Sequence, residues 1–146
     1  MRISTKGRYG LRALIDIAVN SETEPVSISS IGERQSVSTS YLEQLISKMK
    51  KAGFLDSVRG VNGGYMLARA PEEISIGDVL RTLEDGLTPA NCLGDECGSA
   101  DFCVEKVVWE RINESVNAAV DSLWLQDLIQ AQKEFQNEVE RENCTL

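Results

Sequence analysis

Three cysteines fall within twelve residues, in the run Cys92-Leu-Gly-Asp-Glu-Cys97-Gly-Ser-Ala-Asp-Phe-Cys103. Thiolates donate strongly to soft metals and to iron–sulfur clusters, so thiols gathered this closely point to such a centre. Structural zinc sites generally match one closely spaced cysteine pair with a second. No second pair exists here. Cys144 is the only other cysteine, and a four-sulfur zinc site would need the C-terminal region to fold back onto the loop. The expected cofactor is therefore a 2Fe–2S cluster held by Cys92, Cys97 and Cys103, with a 4Fe–4S cluster as the alternative. Zinc or a bare redox thiol stands behind these. The chain has no histidine, so the remaining iron position falls to an oxygen of Asp95, Glu96, Asp101, Glu105, Glu43 or solvent. Oxygen is a harder and weaker partner for iron than thiolate, so such a cluster is expected to be labile.

The elements around this loop divide by charge. The net charge of −8 conceals a basic front, with ten Lys/Arg against six Asp/Glu in residues 1–70. Residues 71–146 carry five against seventeen. A basic front joined to an acidic rear suits a polyanion-binding module with a separate assembly region. With 42% hydrophobic residues, no apolar run near membrane length and no apolar leader at Met1–Arg8, the chain is expected to be cytoplasmic and free of membrane contact. Reduced thiols in that compartment favour cofactor binding over disulfides.

In chain order, Ser4 or Thr5 can cap a first helix whose apolar face is Tyr9, Ala13, Leu14, Ile17 and Ala18. Lys6 and Arg8 could reach a phosphate, and Arg12 reads as a solvated side chain. A short helix runs from Ser27 or Ser29 to Gln35, and after a compact break a third runs from Ser38 or Ser40 to Ala52, ended by Gly53. The spacing predicts a helix-turn-helix, the second helix presenting Ser38, Ser40, Tyr41, Glu43, Gln44 and Lys48. Phe54, Leu55 and Val58, a turn over Gly60–Gly64 with Asn62-Gly63, and a return over Tyr65–Ala68 predict a β-hairpin flanked by Arg59.

The fold class is thus mainly α with a small hairpin: a winged helix-turn-helix. Ser75 is expected to cap a further helix carrying Ile76, Val79, Leu80 and Leu83. Beyond the cysteines, Val104, Val108, Ile112, Val116, Ala119 and Leu123 follow a helical stripe with nothing left in the chain to cover it. A long dimerisation helix in a symmetric homodimer is expected, folding back onto the front module being the alternative. Trp124, Leu125, Leu128 and Ile129 form a short packing helix. The expected layout is residues 1–86 as the DNA-binding domain, 87–103 as the cysteine loop, 104–131 for dimerisation and packing, and 132–146 as a flexible tail.

With these residues read, the sequence resembles the Rrf-two family of bacterial regulators, typified by IscR, NsrR, RirA and CymR. The likeness reaches to about residue 130. It is close at Met1-Arg-Ile-Ser-Thr-Lys-Gly-Arg-Tyr-Gly10, at Ser40-Tyr-Leu-Glu-Gln-Leu45 and at Ser57-Val-Arg-Gly-Val-Asn-Gly-Gly-Tyr65. IscR-type members look most similar, and CymR-type members, which lack the cysteine triplet, are the poorer match. The resemblance implies a homodimeric transcription factor, a repressor among its expected roles, that binds double-stranded promoter DNA. Cluster occupancy would change which promoters it binds, assembly proteins would donate the cluster, and the cluster-biogenesis genes would be its targets. Nitric-oxide or redox sensing, and a metal-free thiol switch in cysteine metabolism, are the alternatives. Two departures stand out. IscR-type cysteines usually have five residues in each gap, whereas the first gap here holds four and the second five; and the family's histidine ligand position is Lys106. Glu43 as fourth ligand would tie the cluster to the recognition helix; in its other reading it joins a capping box with Ser40 or faces DNA and solvent. No nucleophile–base pair is visible, so an enzyme is not expected.

Overall fold

A computed structural model of the chain describes residues 2–89 and 103–145. Among them, the order is α1 (Thr5–Asn20), α2 (Ile28–Gln35), α3 (Thr39–Lys51), β1 (Leu55–Val58), β2 (Gly64–Leu67), a 3₁₀ turn at Pro71–Glu73, α4 (Ile76–Glu84), α5 (Lys106–Asp121) and α6 (Leu125–Cys144). None of these helices is long and apolar enough to cross a membrane.

Serine caps start the first three helices. The hydroxyls of Ser4, Ser27 and Ser38 accept from the backbone N–H of Lys6, Ser30 and Tyr41, each satisfying a donor that has no partner inside its helix. Because Ser38 is the cap of α3, Glu43 lies too far along the helix for the capping box with Ser40. The break between α2 and α3 turns on Ser36, held in the left-handed region at φ 54°. Leu42, Leu45, Ile46 and Met49 of α3 then bury against Leu14 and Ile17 of α1, Ile31 of α2, and Val79 and Leu83 of α4.

A polar staple joins α1 to α2. The Asp16 side chain is only 3% exposed. Its carboxylate accepts from Arg34 Nη2 at 2.7 Å and Nε at 3.0 Å, and from Gln35 Nε2 at 2.8 Å. The carboxylate holds the Arg34 guanidinium's pKa above its ordinary value through that hydrogen bond. Arg34→Ala would leave a buried charge with only the Gln35 amide and a long contact from Asn20, and it is expected to lower stability by roughly 2–3 kcal/mol, less than for a dry pair because Arg34 is partly solvated. A urea midpoint that drops at constant m-value is the check; Arg34→Lys should recover only part, lacking the two-pronged geometry.

The hairpin pairs Leu55 with Leu67, Asp56 with Met66, Ser57 with Tyr65 and Val58 with Gly64. Its turn differs from the expected Asn62-Gly63 form. Only Gly60 in the loop has positive φ, at 121°, and Gly63 N–H donates to Gly60 O at 3.0 Å. Gly63 and Gly64 are needed for crowding instead: a Cβ would collide with the carbonyls of Val58 and Val26 respectively. Val26 exchanges two backbone hydrogen bonds with Tyr65, at 2.9 and 2.8 Å, and so fastens the wing to the α1–α2 connection.

Three features of the rear half depart from expectation. Ser75 occupies the cap position of α4, but its hydroxyl is buried and makes no cap hydrogen bond. The backbone does the work there, with Ile76 N–H donating to Leu123 O and Leu125 N–H to Ile74 O, both at 2.9 Å. The helical stripe starts at Lys106, after Val104. And α6 runs to Cys144 where a tail from residue 132 is expected; Lys133 ties it to Glu22 in the connection after α1 at 2.6 Å, while Phe135 and Val139 stand exposed on it. Leu125 and Ile129 close the core.

Candidate nucleic-acid interface

The 3.6-residue period that buries Leu42, Leu45, Ile46 and Met49 turns the opposite side of α3 outward. Ser40, Glu43, Gln44, Ser47 and Lys51 are exposed there, with Ser38 just ahead of the first turn. Lys48 follows Gln44 by one turn on the same side and is half-buried. Of the residues expected to read DNA, Ser40, Glu43 and Gln44 are thus gathered on one open face, and Arg59 stands exposed where β1 enters the turn of the wing.

The other three are placed differently. The Ser38 hydroxyl accepts from Tyr41 N–H at 3.4 Å, keeping its own proton for a base or phosphate. Tyr41 turns toward α1: its hydroxyl donates to Thr5 Oγ1 at 3.3 Å, and its ring meets Tyr9 edge-on, centroids 6.2 Å apart. Lys48 Nζ pairs with Asp85 Oδ1 at 3.1 Å. Arg12, expected to be solvated, stacks over Tyr9 at 5.3 Å and donates to the Gln35 side chain and carbonyl, both at 3.1 Å. It braces α1 on α2.

Sequence reasoning missed two supports. Lys50 Nζ donates to Ser57 Oγ at 2.7 Å, linking α3 to the wing. Glu84 Oε1 accepts from Ser4 N–H, Ser4 Oγ and Gly7 N–H at 2.9–3.0 Å, fixing the α1 N-terminus where Lys6 and Arg8 are exposed. A negative charge at a helix N-terminus is favourable. The feature that could have found it is Gly7, whose missing Cβ leaves room for that carboxylate.

Of the expected thiol ligands, Cys103 is described. It is half-buried, and its carbonyl accepts from Lys106 N–H at 3.2 Å where α5 begins. Cys92 and Cys97, with Asp95, Glu96 and Asp101, lie outside the described residues. Among the described residues no three His, Cys, Asp or Glu side chains come together as a metal site. Glu43 is exposed. Cys144 sits at the exposed end of α6. As a donor set, a half-buried thiol with two more cysteines close in sequence, and no histidine in the chain, fits a soft iron–sulfur centre better than a hard cation.

Rearward, Arg81 clamps α4 to α5. Its Nε and Nη2 donate to Asn117 Oδ1 at 3.1 and 2.8 Å, Nη2 to Asp121 at 2.6 Å and Nη1 to Asp78 at 3.1 Å. These contacts hold only the second half of α5, which has no buried residue anywhere.

Comparison with known proteins places this arrangement. A family profile described as "Rrf2: Iron-dependent Transcriptional regulator" matches residues 3–131. The HTH-type transcriptional regulator IscR of Klebsiella pneumoniae (strain 342) is 37% identical over 134 residues, 91% of this chain and 82% of that protein. Among solved structures, T. potens IscR superposes with TM-score 0.76 at 42% identity, covering 93% of this chain and 91% of that one. CymR (YrzC), the global cysteine regulator of B. subtilis, also gives 0.76, at 37% identity, covering 90% and 98%.

Proposed function

Because the chain belongs to the Rrf2 family of transcriptional regulators, we propose that it binds promoter DNA as a homodimer and that an iron–sulfur cluster on Cys92, Cys97 and Cys103 governs which promoters it selects. The observation that carries the DNA half is the open polar face of α3 beside an exposed Arg59. A helix of this width fits the major groove, where Gln44 can pair with adenine through two hydrogen bonds and Ser40 can reach base edges or phosphates. Arg59, Lys6 and Arg8 supply sequence-independent phosphate contacts. In this reading residues 1–86 form the DNA-binding unit and 104–131 the pairing unit.

Glu43 has a distinct role on that face. Its carboxylate accepts from cytosine N4 and repels phosphate, so it narrows the set of sites tolerated. Cys92, Cys97 and Cys103 would hold the cluster, which supplies a centre that iron, sulfide or oxidants can fill or destroy. Glu43 remains the fourth donor of greatest consequence, since a bond from it to iron would remove that carboxylate from the groove. The cluster-biogenesis genes are the proposed targets. A metal-free thiol switch is the second reading, favoured by the equal TM-score of CymR.

Gln44→Ala tests the groove assignment. On the operator that the native chain selects from random duplexes, the variant is expected to lose roughly 1–3 kcal/mol of discrimination at one A·T position and little elsewhere. Uniform weakening at all positions would remove Gln44 from base reading.

A further inference from the structure

We infer that Asp85 is an internal competitor of DNA phosphate for Lys48, and so sets the strength and salt dependence of DNA binding. The inference rests on the assignment of α3 as the DNA-reading helix. Lys48 lies one turn beyond Gln44 on the same side of that helix, where a free ammonium would meet the sugar-phosphate backbone. Its Nζ is instead 3.1 Å from one Asp85 oxygen and 3.4 Å from the other.

Asp85 is an unfavourable residue for its own position. It caps the C-terminus of α4 in the left-handed conformation, φ 59° and ψ 32°, where glycine is the usual occupant. It also brings a negative charge to the negative end of the helix dipole, beside the Glu84 carboxylate that caps α1. Gly86 follows with φ 121°, so a glycine able to serve the turn is only one residue away. A carboxylate set where the helix dipole disfavours it is offset by the contact it makes, and that contact is with Lys48.

The exchange is physically open. The Lys48 and Asp85 side chains are 37% and 72% exposed, so a phosphate can reach the ammonium without unfolding anything, and the pair is weak enough to be displaced. While it stands, Lys48 contributes less to affinity than its place on α3 allows. The uncovered Asp85 carboxylate also repels an approaching backbone. The neighbouring Glu84 carboxylate is directed elsewhere, its Oε1 accepting from three donors at the α1 N-terminus.

The test is a double-variant cycle on the full chain, using fluorescence anisotropy with an operator duplex selected by the native protein, over a range of salt. Asp85→Asn, which keeps tolerance of the left-handed turn, is expected to tighten binding roughly two- to fivefold at low salt and to steepen the salt slope. Asp85→Gly should do the same while raising the melting temperature, so that the gain cannot be a folding defect. Lys48→Ala should weaken binding and lower the slope by about one, and in that background Asp85→Asn should give little further gain. An Asp85→Asn affinity equal to native, or an equal gain with and without Lys48, overturns the inference while leaving α3 as the reading helix. Absence of salt-dependent duplex binding by the native chain overturns the DNA assignment itself.

Discussion

Changing Val108 and Ile112 together to glutamate is expected to leave a folded monomer whose operator affinity is lower by roughly two to four orders of magnitude. No residue of α5 is buried, and Val107, Val108 and Ile112 are 68%, 54% and 38% exposed. Arg81 grips only Asn117 and Asp121 near its end, so the first half carries an exposed apolar strip that the proposed homodimer would cover. Burying such a strip is the ordinary reason an exposed apolar helix persists. Two glutamates there would add charge to a region that is already acidic. The size of the loss follows from geometry, since one dimer engages two half-sites and the second engagement is intramolecular. Sedimentation velocity reads the assembly state and anisotropy the affinity. A variant that remains dimeric, or a monomer that binds as the native chain does, removes α5 from the interface.

The second large effect is on the proposed cluster. Cys103→Ala is expected to lose iron and sulfide together, with the visible absorption that a thiolate-bound cluster gives when the protein is prepared without oxygen. Two thiols of the triplet remain after the substitution, too few to hold two irons against solvent with no histidine to help. Cys144→Ala is the matched control. Its sulfur lies at the exposed end of α6, and its removal should leave iron and sulfide unchanged. Stoichiometric zinc in the native protein, or full iron content in Cys103→Ala, would replace the cluster with the metal-free or zinc reading.

Much of the front half was legible because its signals are local. Ser38 ahead of Leu42, Leu45, Ile46 and Met49, closed by Gly53 at φ 83°, announces α3 by cap, period and terminator. The change to Phe54, Leu55 and Val58 announces the strand that follows. The hairpin turn misled because Asn62-Gly63 carries a strong local preference, while the glycines at 63 and 64 answer to carbonyls of Val58 and Val26. Residues 132–144 were misread for a related reason. Few apolar side chains suggested a frayed end, yet Gln, Lys, Glu and Ala are good helix formers, and the anchor is Lys133 on Glu22, far back in the chain.

The charged contacts behind the candidate interface were the least legible. Asp16 with Arg34, and Lys48 with Asp85, lie 18 and 37 residues apart in sequence, and neither is marked by any spacing rule. Lys48 on an exposed-looking helix reads as a phosphate contact, and only packing of α4 against α3 brings a carboxylate to it. The cysteine triplet is the opposite case. It is visible in residue type and proximity along the chain alone, and the cluster it would hold belongs to the proposed function.

The account turns on whether filling the thiol site changes which DNA is chosen. Selection from a random duplex pool should be run on the protein prepared without oxygen and on the same protein after its iron has been stripped by a chelator. The two preparations are expected to recover different sequence sets, with the stripped form losing the sites preferred by the loaded one. Recovery of one common set, at equal affinity, would contradict it.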